Sequence, residues 1–224
     1  MKTIARLMAA GAAVASLAGA GAAAATTIDW VDWTVVLPGG QVNGVITTPG
    51  GPVGVAFNGN QLFAQVTGLG PDSWVDDGYT QGLVNRPPGT DTIALGNGGA
   101  ELITFSQAVT NPYIALSDWR NVHVTFSAPF DVVSQGCGVS GCGTFSVNGT
   151  GDGFTGVNDV YGVLQFHGTF TQLAFVDSEA GAHGFRVGLA EPAAAPEPAA
   201  WALMLVGFFG MGATLRRRRA LLAA

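Results

Sequence analysis

Few residue types in this chain of 224 residues could do chemistry, and they come in small groups. Its two cysteines, Cys137 and Cys142, lie in Gly136-Cys137-Gly138-Val139-Ser140-Gly141-Cys142-Gly143. The spacing is not C-x-x-C, and a pair of sulfurs is too few for a metal site, so redox or zinc chemistry is not expected. In an oxidising compartment the pair reads as a structural disulfide pinning a glycine-rich turn, worth about 2 kcal/mol on the chain-entropy model. Free thiols are the competing reading. The three histidines, His123, His167 and His183, stand singly on separate segments. A lone histidine in a strand is more often packed or solvated than a ligand.

Acidic residues cluster in two loops, Asp72 with Asp76 and Asp77, then Asp152 with Asn158 and Asp159. Calcium takes about six to eight oxygen ligands, so Asp152, Asn158 and Asp159 are candidate calcium ligands. The stretch Asn148-Gly149-Thr150-Gly151-Asp152-Gly153 has the look of such a loop, but it lacks an acid at an EF-hand's last position. Tight turns also demand Gly, Asn and Asp. Two tryptophans stand beside polar groups: Trp74 with Asp76, Asp77 and Tyr79, and Trp119 with Asp118, Arg120 and Asn121. An indole face can stack on a sugar while carboxylates and amides take its hydroxyls, so Trp74, Asp76, Asp77, Tyr79, Trp119 and Arg120 are candidate sugar contacts. The competing reading makes both indoles core or loop anchors. No nucleophile elbow, zinc-protease helix, P-loop or dinucleotide fingerprint occurs. Carboxylates from different strands could still meet, yet no spacing forces them together, and an enzyme is not expected.

The elements that must position these groups read as strands. Val122, Val124 and Phe126 alternate with polar residues, as do Phe185, Val187 and Leu189, and Thr171, Leu173 and Phe175 form a third such face. Further short apolar runs span 29–37, 42–48, 61–67, 90–95, 100–105, 112–117, 130–134, 143–147 and 161–166, bounded by Gly, Pro, Asn and Asp. No helical period occurs before Ala199. The pattern predicts one all-β domain over 26–190, a β-sandwich of jelly-roll or lectin-like type. Over residues 26–195 three arginines face fourteen acids, a net of −11, and lysine is absent. Such a surface repels nucleic acid.

Both ends read as address labels. Lys2 and Arg6 flank an apolar run from Leu7 to about Ala18, and Ala23-Ala24-Ala25 fits a cleavage rule before Thr26. That is the pattern of a signal peptide over 1–25, read by the Sec export machinery. At the other end a Pro/Ala linker over 191–198 leads into an uncharged run over 199–215 and a basic tail over 216–224. At about 1.5 Å per residue the run covers about 25 Å, enough for a short transmembrane helix. Arg216, Arg217, Arg218 and Arg219 would stay cytoplasmic, which puts the β-domain outside. Pro196 and Pro198 hold the segment before the membrane extended and remove amide donors, so a processing enzyme could grip it.

Pro196-Glu197-Pro198, Trp201-Ala202, the short span and the arginine cluster together resemble the PEP-CTERM sorting tail, in its P-E-P-x-x-W-A form. A tail of this type also carries the label ice-binding protein C-terminal domain, which says little about the domain in front of it. The resemblance covers about 25 residues at the chain end. It implies an exosortase as processing enzyme, an inner-membrane precursor, delivery to the cell surface or beyond, and association with exopolysaccharide. Segments within 100–190, such as Gly162 to Phe170 and His183 to Gly188, also resemble exported PEP-CTERM proteins, which implies a fold and no activity. No cofactor is expected apart from the candidate calcium.

Overall fold

The computed structural model describes residues 26–66, 83, 85–178 and 181–191, together with residues 204, 205, 207–209 and 211 near the C-terminus. Strands dominate. They are β1 (Ile28–Trp30), β2 (Asp32–Val36), β3 (Val42–Thr48), β4 (Gly51–Asn58), β5 (Gln61–Ala64), β6 (Ile93–Leu95) and β7 (Gly99–Thr110). The second half adds β8 (Tyr113–Ser117), β9 (His123–Phe126), β10 (Phe130–Gly138), β11 (Gly141–Val147), β12 (Gly153–Asn158), β13 (Tyr161–Phe166), β14 (Thr169–Asp177) and β15 (His183–Ala190). The fold is all-β, as the alternation predicts.

Hydrogen-bonded neighbours run β2-β3-β4-β7-β14-β9-β12-β11-β10-β13-β8-β15-β6-β5, with β1 on the side of β15. Every strand pair is antiparallel. The ladder wraps round a single main core and nearly closes into a barrel-like sheet. Its closure is partly covalent. Val31 still donates its amide to Val187 O on β15 at 2.9 Å, and the chain then bends into β2 at the opposite end of the ladder. What reads in sequence as one strand over 29–37 is therefore two.

Alternation explains the core. Val124 and Phe126 on β9, Leu173 and Phe175 on β14, and Ile103 and Phe105 on β7 point inward and are buried. Phe126 lies edge-on to Phe166 with ring centres 5.1 Å apart, and Phe175 meets Phe185 at 5.7 Å. Each such ring contributes about 1.5–3 kcal/mol by leaving water. Strand β15 departs from simple alternation, since His183 to Leu189 are all buried. A second cluster of Ile28, Leu83, Tyr113, Ala115, Tyr161 and Val163 lies apart from the main core, on the opposite side of β8 and β13. Gly188 permits this layer, because a methyl there would sit 2.5 Å from Ile28 Cγ2 and 2.8 Å from Trp30 Cε3.

The expected signal peptide over 1–25, all but the first residue of the expected linker over 191–198, and the expected basic tail over 216–224 lie outside the described residues. Of the expected membrane span, Met204, Leu205, Gly207, Phe208, Phe209 and Met211 are helical. Among the described residues no helix is long and apolar enough to cross a membrane.

Candidate functional site

A notch of about 350 Å³ opens where β1 turns away from β15 and approaches β3. Asp29, Trp30, Asp32, Thr47, Asn85 and Arg86 line it. Its wall is held from behind by Asn85, whose Oδ1 accepts the Ile28 amide at 2.8 Å while its Nδ2 donates to Ile28 O at 2.7 Å. Asn85 thus spends its amide on fixing β1. Asp29 Oδ2 and Trp30 Nε1 are both buried and make no hydrogen bond. Burial, and then the charge of Glu191, push the Asp29 carboxyl above its ordinary value. An aromatic ring and two carboxylates, Asp29 and Asp32, line this notch and make it a candidate site for a polar ligand.

A second, wider trough of about 430 Å³ crosses β3, β4 and β7, with Gly54 and Ala56 on β4 and Asn43, Thr104 and Ser106 on its neighbours. Its floor is shaped by small residues on the middle strand. No charged side chain lines it.

The candidate residues read from the sequence are partly brought together. Cys137 and Cys142 form a disulfide, with Cα atoms 4.2 Å apart, that closes the β10–β11 hairpin. Against this hairpin lie Asp118, Arg120, Asp159 and Tyr161. The Arg120 guanidinium pairs with Asp159 Oδ1 through both Nε and Nη2. Ser140 Oγ donates to Asp118 Oδ2 at 3.1 Å, and the Ser140 amide donates to the Tyr161 hydroxyl at 3.4 Å. Burial, and then the neighbouring Asp159 carboxyl, hold Asp118 above its usual range. Asp118 and Asn158 both adopt left-handed backbone, at φ of 59° and 60°. These contacts anchor the hairpin to β12 and β13.

Trp119 has no exposed ring face. It is 0% exposed, its indole Nε1 donates to Gly184 O at 2.7 Å, and its ring packs on Phe154, Phe175 and His183. A sugar cannot stack on it. Arg120, its neighbour, is committed to Asp159. The candidate calcium set is also divided. Asp152 precedes β12 and Asp159 follows it, so about 20 Å of extended chain separates them, and Asp152 cannot share an ion with Asn158 and Asp159. Asp152 caps its own turn, taking Thr150 Oγ1 at 2.5 Å and Asn148 Nδ2 at 2.8 Å. Those bonds lower its pKa. Among the described residues no group of three or more His, Cys, Asp or Glu is placed to hold a metal ion. Trp74, Asp76, Asp77 and Tyr79 lie outside the described residues, as do Pro196, Glu197, Pro198, Trp201, Ala202 and the four terminal arginines.

Histidines find separate roles. His123 Nδ1 lies 2.8 Å from Thr155 Oγ1, and His167 Nε2 lies 2.8 Å from Asp131 Oδ2, both at the surface. His183 is wholly buried, with Nε2 at 3.0 Å from Asp177 Oδ2 and Nδ1 at 2.9 Å from Gly181 O. Glu101 lies near this pair, and its two oxygens accept the Asn60 amide at 3.1 and 3.0 Å. Burial raises its pKa, and the Asn60 amide offsets part of that.

Sequence reasoning missed Trp30 because it lies inside an apparently continuous strand. The available signal was the run Asp29-Trp30-Val31-Asp32-Trp33, two indoles interleaved with two acids. Compared with known proteins, the chain matches no family model, no curated protein and no solved structure.

Proposed function

We propose that this chain is an exported surface or extracellular-matrix protein, delivered as an inner-membrane precursor and processed by an exosortase. One observation carries this reading: Pro196-Glu197-Pro198, Trp201-Ala202, an uncharged run and four arginines follow one another at the chain end. An acidic β-domain with a disulfide across its β10–β11 hairpin suits an oxidising exterior. The role is non-catalytic, with the chain as the substrate of its own processing. The domain belongs to the β-sandwich architectures, of jelly-roll or lectin-like type, that carry adhesins and matrix proteins.

The test compares a producing strain with its exosortase deletion, following an epitope placed in the exported domain. Processing should release a shorter product to the surface or medium in the parent, and the deletion should retain the longer precursor in the membrane. Replacing Pro196, Glu197 and Pro198 with alanine should reproduce the deletion. Equal processing in all three strains would refute the sorting role.

A second reading makes the exported domain a carbohydrate-binding or adhesive module, and the notch beside Trp30 favours it. Its partner would be exopolysaccharide. Assistance by calcium would need ligands other than the divided set of Asp152, Asn158 and Asp159.

A further inference from the structure

We propose that the Asn148–Gly149 bond, at the head of the turn between β11 and β12, is a site of spontaneous deamidation through which the folded chain gains a carboxylate with age. The site depends on neither the sorting tail nor the notch at Trp30. Asparagine followed by glycine is the pairing most open to this reaction, because no side chain keeps the glycine nitrogen away from the asparagine Cγ. The sequence offers Asn43–Gly44, Asn58–Gly59, Asn97–Gly98 and Asn148–Gly149. The fold closes the first two. Gly44 pairs with both Trp33 and Val55 inside the ladder, where a methyl would sit 2.6 Å from Asp32 O. At Gly59 the Glu101 carboxyl fills the space a side chain would need, and it also accepts the neighbouring Asn60 amide. Asn97 is exposed, but Gly98 sits in left-handed backbone at φ of 63° and its carbonyl accepts Asn60 Nδ2 at 2.9 Å.

Asn148 meets no such restraint. Asn148, Gly149 and Thr150 are all exposed, and no atom lies within 4 Å of where a side chain at Gly149 would begin. The ladder between β11 and β12 stops at Val147 and Phe154, so Gly149 stands beyond it. The Gly153 amide donates to Asn148 Oδ1 at 3.3 Å, which draws electron density from the carbonyl and favours attack on Cγ. The Gly149 nitrogen gives up its proton and bonds to Cγ, the Cγ–Nδ2 bond breaks, and ammonia leaves with a proton. Water then opens the five-membered succinimide at either carbonyl, leaving aspartate or a backbone-lengthened isoaspartate at position 148. No electrons are transferred, and water is the one co-reactant. The product acts on its own turn. Asn148 Nδ2 donates to Asp152 Oδ1 at 2.8 Å, and conversion puts a second carboxylate where that donor stood. The Asn148 amide closes the turn on Gly153 O at 2.9 Å, and an isoaspartyl link displaces that bond. The turn therefore loosens where β11 passes into β12.

The experiment stores the purified full-length chain in neutral detergent and heavy-oxygen water at mildly alkaline pH, and follows each asparagine by peptide mapping with mass spectrometry. Position 148 should convert about tenfold faster than position 97 and take up heavy oxygen, while positions 43 and 58 stay unchanged in the folded chain. Gly149→Ala fits the open space and needs no left-handed backbone. It should slow conversion at least tenfold and leave the melting temperature unaltered. Hydrogen exchange at the Asn148 and Gly153 amides should rise severalfold in the aged parent, and equally in freshly prepared Asn148→Asp. Conversion at Asn97 as fast as at Asn148, or an unchanged rate in Gly149→Ala, would overturn the site. Conversion at Asn148 without faster exchange, in the aged parent and in Asn148→Asp alike, would overturn the loosening of the turn while keeping the modification.

Discussion

At the scale of single residues, burial governs the carboxyl groups. Asp29, Asp118 and Glu101 are all raised above their ordinary values with burial as the first cause. Glu101 is the most enclosed, 2% exposed at the end of the core. A carboxyl raised in the folded state holds its proton more tightly there than in the unfolded chain. Its contribution is favourable on the acid side, declines as pH rises from the ordinary value of 4.5 toward the folded value, and is lost above it. Glu101→Gln removes that titration and keeps an oxygen for the Asn60 amide. Thermal melts across this window should show the parent losing stability with rising pH and the variant losing less. An identical slope in Glu101→Gln would assign the dependence to another group.

Elements behave as their neighbours require, and this decides which of them could be read in advance. The alternation in β9, β14 and β15 was legible because large inward residues recur every second position. Strands β4 and β12 were not expected, since Gly51-Pro52, Gly54, Gly153 and Gly156 look like turn punctuation. Gly153 and Gly156 serve close approach instead: a methyl at Gly153 would meet Val124 O at 2.6 Å across the ladder, and one at Gly156 would run into Trp119 O. Trp119, set between two charged residues, resembled an exposed platform, but the left-handed turn at Asp118 delivers it into the core. The disulfide hairpin was legible from glycines and spacing, whereas its anchorage on Asp118, Asp159 and Tyr161 depends on long-range pairing that no local pattern records. Gly138 is essential to that anchorage, because the Tyr161 ring occupies the space a side chain would need. Replacing Cys137 and Cys142 with serine should cost about 2 kcal/mol in urea unfolding. The hairpin should also become open to proteolysis near Val139, which is 65% exposed. Unchanged stability with no new cleavage would show that the side-chain anchors alone hold the hairpin.

For the whole molecule, the decisive quantity is charge imbalance on a nearly closed sheet. Fourteen acids against three arginines over 26–195 give a net of −11, and like charges of that excess repel one another in a compact chain. Salt shortens the range of that repulsion, to about 10 Å at 0.1 M. Melting temperature should therefore rise by several degrees between low salt and about 0.2 M sodium chloride. The same experiment separates screening from specific calcium binding. At matched ionic strength, calcium and magnesium chloride should raise the melting temperature equally if both act only by screening. An increment particular to calcium, saturating at millimolar concentration, would require a site that Asp152, Asn158 and Asp159 cannot jointly form across β12. Asp72, Asp76 and Asp77 would then be the first to substitute, with loss of the increment in Asp76→Asn as the result that assigns it. Equal effects of the two ions would leave the acidity with one physical role, a field that excludes anionic polymers and admits cationic ones.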